Sequence, residues 1–289
     1  MGLKSYLHET ITLARVNLKR RLHSKWDSYP LGRKPRADAE KYLKLFDSAK
    51  RTEYPEADAV ERESGFAIDR EWLHDVALHT QVAIKSYKDG VIAYPHGRLL
   101  YSLLRRYIAD NRPDFINIAE TGTARGFSAL CMAKAIADSG IHGRIVTIDL
   151  LPHVVPMYWN CIDDHKGPRT RAELLSPWSD LLRHIVFLQG NSLELLLSVG
   201  VDRIHFAFLD ACHIEIAVMA EFKAVEARQK PGDIIFFDDV TPGVFPGVVK
   251  AIDRIGRSGN YSFRRTMISD RRGYAWGTRQ PVLSGTLAK

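Results

Sequence analysis

The sequence predicts an α/β fold on a mostly parallel seven-stranded sheet, with a terminal antiparallel hairpin and a helical extension at the amino terminus. Three observations carry this. From Val91 onward, short apolar runs bounded by turn residues alternate with stretches of helical spacing, the pattern of stacked β-α units. Asp114 to Ser128 passes from a buried strand through a glycine turn into a helix without a spare residue. The last two apolar runs are parted only by Ser269-Asp270-Arg271-Arg272, which reads as a hairpin.

In chain order, Leu3, Leu7, Ile11, Ala14, Leu18 and Leu22 place one apolar stripe on a helix whose other faces carry Arg15, Lys19, Arg20, Arg21 and Lys25. Three readings fit: a helix packed on its own domain or a second subunit, a peripheral membrane helix, or an arm for polyanions. Residues 1–90 form the extension, with helices expected over Ala39 to Ala49 and Glu71 to Tyr87. His74 and His79 there lack the spacing of metal ligands. Residues 91–289 form the main domain. Arg98 to Ala109 is a helix leading into the first strand, Phe115 to Ala119, which Glu120 ends. Further strands are expected at Arg144–Leu150, Ile185–Leu188, Ile204–Leu209 and Asp233–Phe237, with helices at 127–138, 192–199, 213–228 and 244–257. Tyr261–Ile268 and Gly273–Thr278 form the hairpin. The connection Leu151 to Asp180 is long for such a fold; its His153, Tyr158, Trp159 and Trp178 either line a substrate pocket or glue the insertion to its own domain.

Composition narrows the class. The 289 residues are 45% hydrophobic, enough for a core, and no apolar run approaches a membrane span. Cys131, Cys161 and Cys212 have neither zinc spacing nor an even count, so a reducing cytoplasm is expected. The net charge is +7, but residues 1–36 hold nine Lys or Arg against two acids, and the remainder balances at 32 of each. A basic nucleic-acid groove across the fold is therefore not expected.

In an open α/β sheet the ligand residues stand at the carboxyl ends of the strands. Glu120, two residues before Gly122, would repel a pyrophosphate yet suits an ammonium or sulfonium ligand, and the G-x-x-x-G spacing departs from dinucleotide turns. Asp149 ends the second strand, where a carboxylate can accept from both ribose hydroxyls. Gln189-Gly190-Asn191-Ser192 follows the third strand and offers polar contacts to an adenine edge while capping the next helix. Leu209-Asp210-Ala211-Cys212-His213 follows the fourth and Phe236-Phe237-Asp238-Asp239 the fifth. If those strands are neighbours, Asp210, Asp238 and Asp239 make an all-oxygen cluster for Mg²⁺ or a similar divalent cation. The alternative keeps Asp210 and Asp239 as helix caps and His213 as a first-turn residue.

Glu120-x-Gly122-x-x-x-Gly126 resembles the first motif of class I S-adenosylmethionine-dependent methyltransferases, and Asp149 and Asn191-Ser192 follow in the order of their second and third motifs. The resemblance implies a Rossmann-like methyltransferase fold and a cofactor held by Glu120, Gly122, Thr123, Gly126, Ser128, Asp149, Asn191, Ser192 and Asp210. Asp210-x-x-His213 followed by Pro231-Gly232-Asp233-x-x-x-x-Asp238-Asp239 is similar to the macrocin-type sugar O-methyltransferases and the cephalosporin hydroxylase group, over residues 91–278. There the three acids bind metal and the histidine, here His213, is the base; Ala211-Cys212 departs from the Gly-containing pair usual in that group.

The expected activity is methyl transfer to a hydroxyl of a small molecule or glycosylated natural product, with Asp210 and His213 as catalytic residues, metal assistance, and a homo-oligomer as the assembly. Competing expectations are a metal-independent methyltransferase, a noncatalytic cofactor-binding or assembly protein tethered by its basic helix, and a nicotinamide-dependent oxidoreductase. Thr241 to Gly247 is a wall, a moving lid or a plain rigid turn beside the site.

Overall fold

A computed structural model describes residues 33–84 and 92–281. The helix expected over residues 3–22, and the end of the one expected to reach Tyr87, lie outside the described residues. Seven strands form one sheet in the order β3-β2-β1-β4-β5-β7-β6. They are β1 (Phe115–Thr121), β2 (His142–Asp149), β3 (Ile185–Gln189), β4 (Phe206–Leu209), β5 (Ile234–Phe237), β6 (Tyr261–Ser269) and β7 (Arg272–Arg279). The first five pair in parallel, and β7 runs antiparallel to both β5 and β6. Chain order reverses between β1 and β4, so β1 and β4 end side by side at the switch point where open α/β sheets bind their ligands.

Both faces are covered because alternate residues of each strand are apolar on opposite sides. Phe206, Phe208, Ile234 and Phe236 point into one core, and Ala207, Leu209, Ile235 and Phe237 into the other. The first core is closed by α4 (Pro95–Asn111) and α5 (Phe127–Asp138), and behind them by α1 (Ala39–Lys50), α2 (Pro55–Ser64) and α3 (Arg70–Thr80). The second is closed by α8 (Ser192–Ser198), α9 (Glu215–Glu226) and α10 (Pro246–Arg257). Tyr42, Leu73 and Val76 of the leading helices share a core with Ile116 and Phe208 of the sheet, so the described part of the extension is built into the domain's hydrophobic interior.

The helix from Arg70 stops at Thr80, well short of Tyr87. Pro at the first turn and Gly65 in the left-handed conformation at the end define α2, a further helix between the two expected in the extension. The insertion is locally ordered: a 3₁₀ turn at Ile162–Lys166, α6 (Arg171–Leu175), α7 (Ser179–Leu182) and a bridge between Met157 and Arg169. Trp159 and Trp178 are 1% and 5% exposed and pack in hydrophobic clusters that hold the insertion to the domain. Among the described residues no helix is long and apolar enough to cross a membrane.

Candidate functional site

The site begins at the turn after β1. Gly122 has φ +92, and a Cβ there would stand 2.3 Å from the Asp210 carbonyl oxygen. Only glycine allows the β1 turn and the end of β4 to come this close. The approach is fixed by the Asp210 amide, which donates to the Thr121 carbonyl at 2.9 Å. Gly126 opens α5 at φ +92, and Ala124 sits between the two glycines at φ 45, an uncommon conformation for a residue with a side chain.

Hydroxyls and backbone amides tie down the acids on this side. Glu120 is fully buried, and Ser128 Oγ and Thr147 Oγ1 donate to its two oxygens. Thr123 Oγ1 joins Thr147 Oγ1 at 2.6 Å, so Glu120, Thr123 and Ser128 brace the turn from behind. Burial pushes the Glu120 pKa up to about 7 against the pull of those hydroxyls. Asp149 accepts from the Ala124 amide at 2.6 Å and the Leu151 amide at 2.9 Å, one on each oxygen, which leaves each oxygen a further lone pair. Burial raises its pKa too, opposed chiefly by Arg171, whose Nη2 lies 3.9 Å away.

After β3, Asn191 Oδ1 accepts from the amides of Leu193 and Glu194 at 3.1 and 3.2 Å, the geometry of a helix cap. Ser192 Oγ donates to Glu221 Oε1, while Thr121 Oγ1 donates to Glu221 Oε2 at 3.0 Å. The structure thus gives both Asn191 and Ser192 supporting roles in shaping this loop.

A second group of charged side chains stands at the ends of β4 and β5. One ligand atom each from Asp210, His213 and Asp239 lies within 4.8 Å of the others. His213 Nε2 is 3.1 Å from Asp239 Oδ2 and 3.7 Å from Asp210 Oδ1. Nε2 is shielded from solvent and off the line of a formed hydrogen bond, so these contacts are ionic in character. Burial opposes charge on the ring, but the two carboxylates outweigh it and push the His213 pKa up to about 10. Phe245 stacks on the imidazole at 4.4 Å, and a Cβ at Gly247 would meet the His213 carbonyl at 2.4 Å. Residues 241–247 therefore pack as a wall against His213.

The expected set of three carboxylates is not the set the structure brings together. Asp238 is 3% exposed and turns from the cluster to Arg272, whose Nη2 lies 2.6 Å from Asp238 Oδ2. A buried carboxylate beside a guanidinium is already neutralised, and His213 takes its place next to Asp210 and Asp239. Asp239 adopts φ 56, a left-handed conformation uncommon for a residue with a side chain.

The sequence reading missed three groups. Glu221 is 2% exposed and links β1 to the start of α8; its only sequence signal was an acid on the apolar side of a helix. Arg171 is 1% exposed and donates from Nε to the Ala124 carbonyl at 2.9 Å, joining the insertion to the turn. Arg125 donates to the carbonyls of Thr80 and Trp159 at 2.6 and 2.9 Å, tying α3 and the insertion to the same turn.

Residues 119–240 match a sequence family described as a methyltransferase domain. No curated protein matches the chain. Among solved structures, the O-methyltransferase TomG from Streptomyces achromogenes, involved in tomaymycin synthesis and in complex with SAM, is 17% identical at a TM-score of 0.52, over 74% of this chain and 92% of that one. Cofactor-bound Rv0187 from MTB is 16% identical at 0.51, over 85% and 99% of the two chains. A Corynebacterium glutamicum protein is 14% identical at 0.50, over 86% and 100%. At these identities the likeness is one of fold.

Proposed function

We propose that this chain, whose residues 119–240 match a methyltransferase domain, is a class I S-adenosylmethionine-dependent methyltransferase that methylates a hydroxyl of a small molecule or glycosylated natural product. The observation that supports this best is the contact between Gly122 and the Asp210 carbonyl, which sets the cofactor turn beside the Asp210–His213–Asp239 cluster. In the proposal, the turn over Gly122, Thr123 and Gly126 receives the methionine part of the cofactor, and the spare lone pairs of Asp149 receive the ribose hydroxyls. Glu120 acts from behind the turn as a source of negative potential. When bound, S-adenosylmethionine supplies the electrophilic methyl group of its sulfonium.

The cluster needs a countercharge. Without an ion the two carboxylates favour the imidazolium form of His213, and a bound cation would displace that proton so that the imidazole nitrogen serves as a ligand. Asp210, His213 and Asp239 would hold a divalent cation through two carboxylate oxygens and one imidazole nitrogen, a mixed set that suits Mn²⁺, Fe²⁺ or Zn²⁺ better than Mg²⁺. Such an ion supplies a Lewis acid that lowers the pKa of an acceptor hydroxyl. Phe245 and the 241–247 wall keep water from the imidazole and orient the acceptor against Asp239. Release of S-adenosylhomocysteine tests the reading, measured over a panel of hydroxyl, amine and thiol acceptors. Product confined to hydroxyl acceptors is expected, and product confined to amines or thiols would overturn it.

A further inference from the structure

The terminal hairpin reaches the site. A Cβ on Gly273 would meet the Val240 carbonyl oxygen at 2.4 Å, and the Val240 amide donates to the Gly273 carbonyl at 2.9 Å, so the start of β7 runs flush against the loop that follows β5. That approach seats Arg272 beside Asp238. Arg272 is 8% exposed, its Nη2 lies 2.6 Å from Asp238 Oδ2, and its Nε donates to Tyr274 Oη at 2.9 Å. The other oxygen of Asp238 accepts the Asp239 amide at 2.6 Å. The Asp239 amide is thereby held in place just where its backbone takes the left-handed conformation, at φ 56, that turns its carboxylate to His213.

We propose that Arg272 and Asp238 are a positioning pair: the guanidinium acts as a built-in cation that withdraws Asp238 from the reacting cluster and uses it to hold Asp239 against His213. This rests on the reading of Asp210, His213 and Asp239 as the reacting cluster. The physical argument is one of charge and geometry. A carboxylate with nothing opposite it in this buried place would compete with Asp239 for His213 or for an ion, and the pair of acids would repel each other. Paired with Arg272, Asp238 keeps one oxygen for the amide that sets the backbone of Asp239. The pair needs its charges only to satisfy each other, because the contact that orients Asp239 is a hydrogen bond an amide oxygen can also accept.

The double substitution Asp238→Asn with Arg272→Met separates this from a direct role. Arg272→Met alone leaves Asp238 buried and uncompensated. Asp239 should then lose its left-handed conformation in the crystal, its 3.1 Å approach to His213 should open, and turnover should fall by about 10²-fold, the scale of a misplaced catalytic group. In the double variant the Asn oxygen still accepts the Asp239 amide, so Asp239 should return to His213 and turnover should recover to within a few-fold of the parent. Melting temperatures establish which variants are folded. If Arg272→Met is not, Arg272→Lys replaces it, which keeps the charge but loses the fork to Tyr274; Asp239 should then stay on His213 with turnover near the parent's, and loss of that contact would overturn the pairing by charge. A double variant with Asp239 in place but turnover still depressed would mean that Asp238 touches the reacting atoms. An Arg272→Met protein with Asp239 unmoved would mean that the pair holds nothing. If the parent transfers no methyl group to any acceptor, the functional reading fails, and the crystallographic comparison alone decides the positioning pair.

Discussion

Both halves of the site are rich in carboxylates, yet they neutralise them by different means. Around the β1 turn, Glu120, Asp149 and Glu221 are satisfied mostly by hydroxyls and backbone amides. At the ends of β4 and β5, Asp238 faces a guanidinium and Asp210 and Asp239 share one imidazole. Hydrogen bonds from neutral groups fix shape without cancelling charge, and a cationic ligand at the turn would draw these buried acids, whose pKa values burial raises, toward their ionised forms. Charge partners cancel the potential and can be exchanged, which suits a cluster that handles a proton or a metal ion. On the proposed reading the first half is a rigid receptor and the second a charge switch.

The difference is broken most sharply at Asp239. Asp239→Asn keeps the shape and tolerates the left-handed backbone, as Asn commonly does, so the fold and the cofactor affinity should survive. Turnover should fall by about 10²–10⁴-fold, the range of a positioned proton-transfer group; loss of cofactor affinity in calorimetry would merge the two halves into one. At Gly122, Gly122→Ala places a methyl group 2.3 Å from the Asp210 carbonyl oxygen and a side chain at φ +92. It should destabilise the protein by about 3 kcal/mol through overpacking and backbone strain, seen as a lowered midpoint in denaturant. A wild-type midpoint would show that the turn and β4 can part without cost.

Asp149→Ala probes the receptor half alone, weakening cofactor binding by about 1–3 kcal/mol, the scale of hydrogen bonds to a charged group, with turnover at saturation little changed. The smallest effect expected is one of pH. The pKa of His213 is pushed from 6.5 to about 10 in the folded chain, so its protonation contributes stability that is fully present below about pH 6.5 and lost as pH rises through about 10. In chelator-treated protein the melting temperature should therefore decline between pH 7 and 10 more steeply than in His213→Gln. Parallel curves would remove the imidazolium from the cluster.

The same division explains how much the sequence showed. The receptor half was readable because β1, the glycine turn and α5 follow one another within residues 115–138, and each step is a local choice of apolar run, glycine or helical spacing. The parallel strands and the closing antiparallel hairpin followed from the alternation of elements, while their order in the sheet is set by long-range pairing. In the charge-switch half, Asp210, His213, Asp238 and Asp239 were visible as motifs, but not which of the two adjacent aspartates faces the imidazole. That choice is made by Arg272, on an antiparallel strand far along the chain, through a close approach that Gly273 permits. The insertion left two readings open for a related reason: Trp159 and Trp178 look alike in sequence as pocket walls and as core, and only the structure shows them packing with Leu151, Met157, Leu174 and the first core. Arg171 left no local signal and Glu221 only that of an acid on the apolar side of a helix, since each acts across the fold on a backbone carbonyl or a distant hydroxyl.

Removal of divalent cations, with cofactor binding and methyl transfer measured on the same sample, tests the central claim most directly. If one half receives the cofactor and the other handles charge, protein stripped by a chelator should titrate with S-adenosylmethionine at unchanged affinity, transfer no methyl group, and recover on addition of Mn²⁺. Undiminished methyl transfer in the chelator, or cofactor affinity that vanishes with the ion, would contradict it.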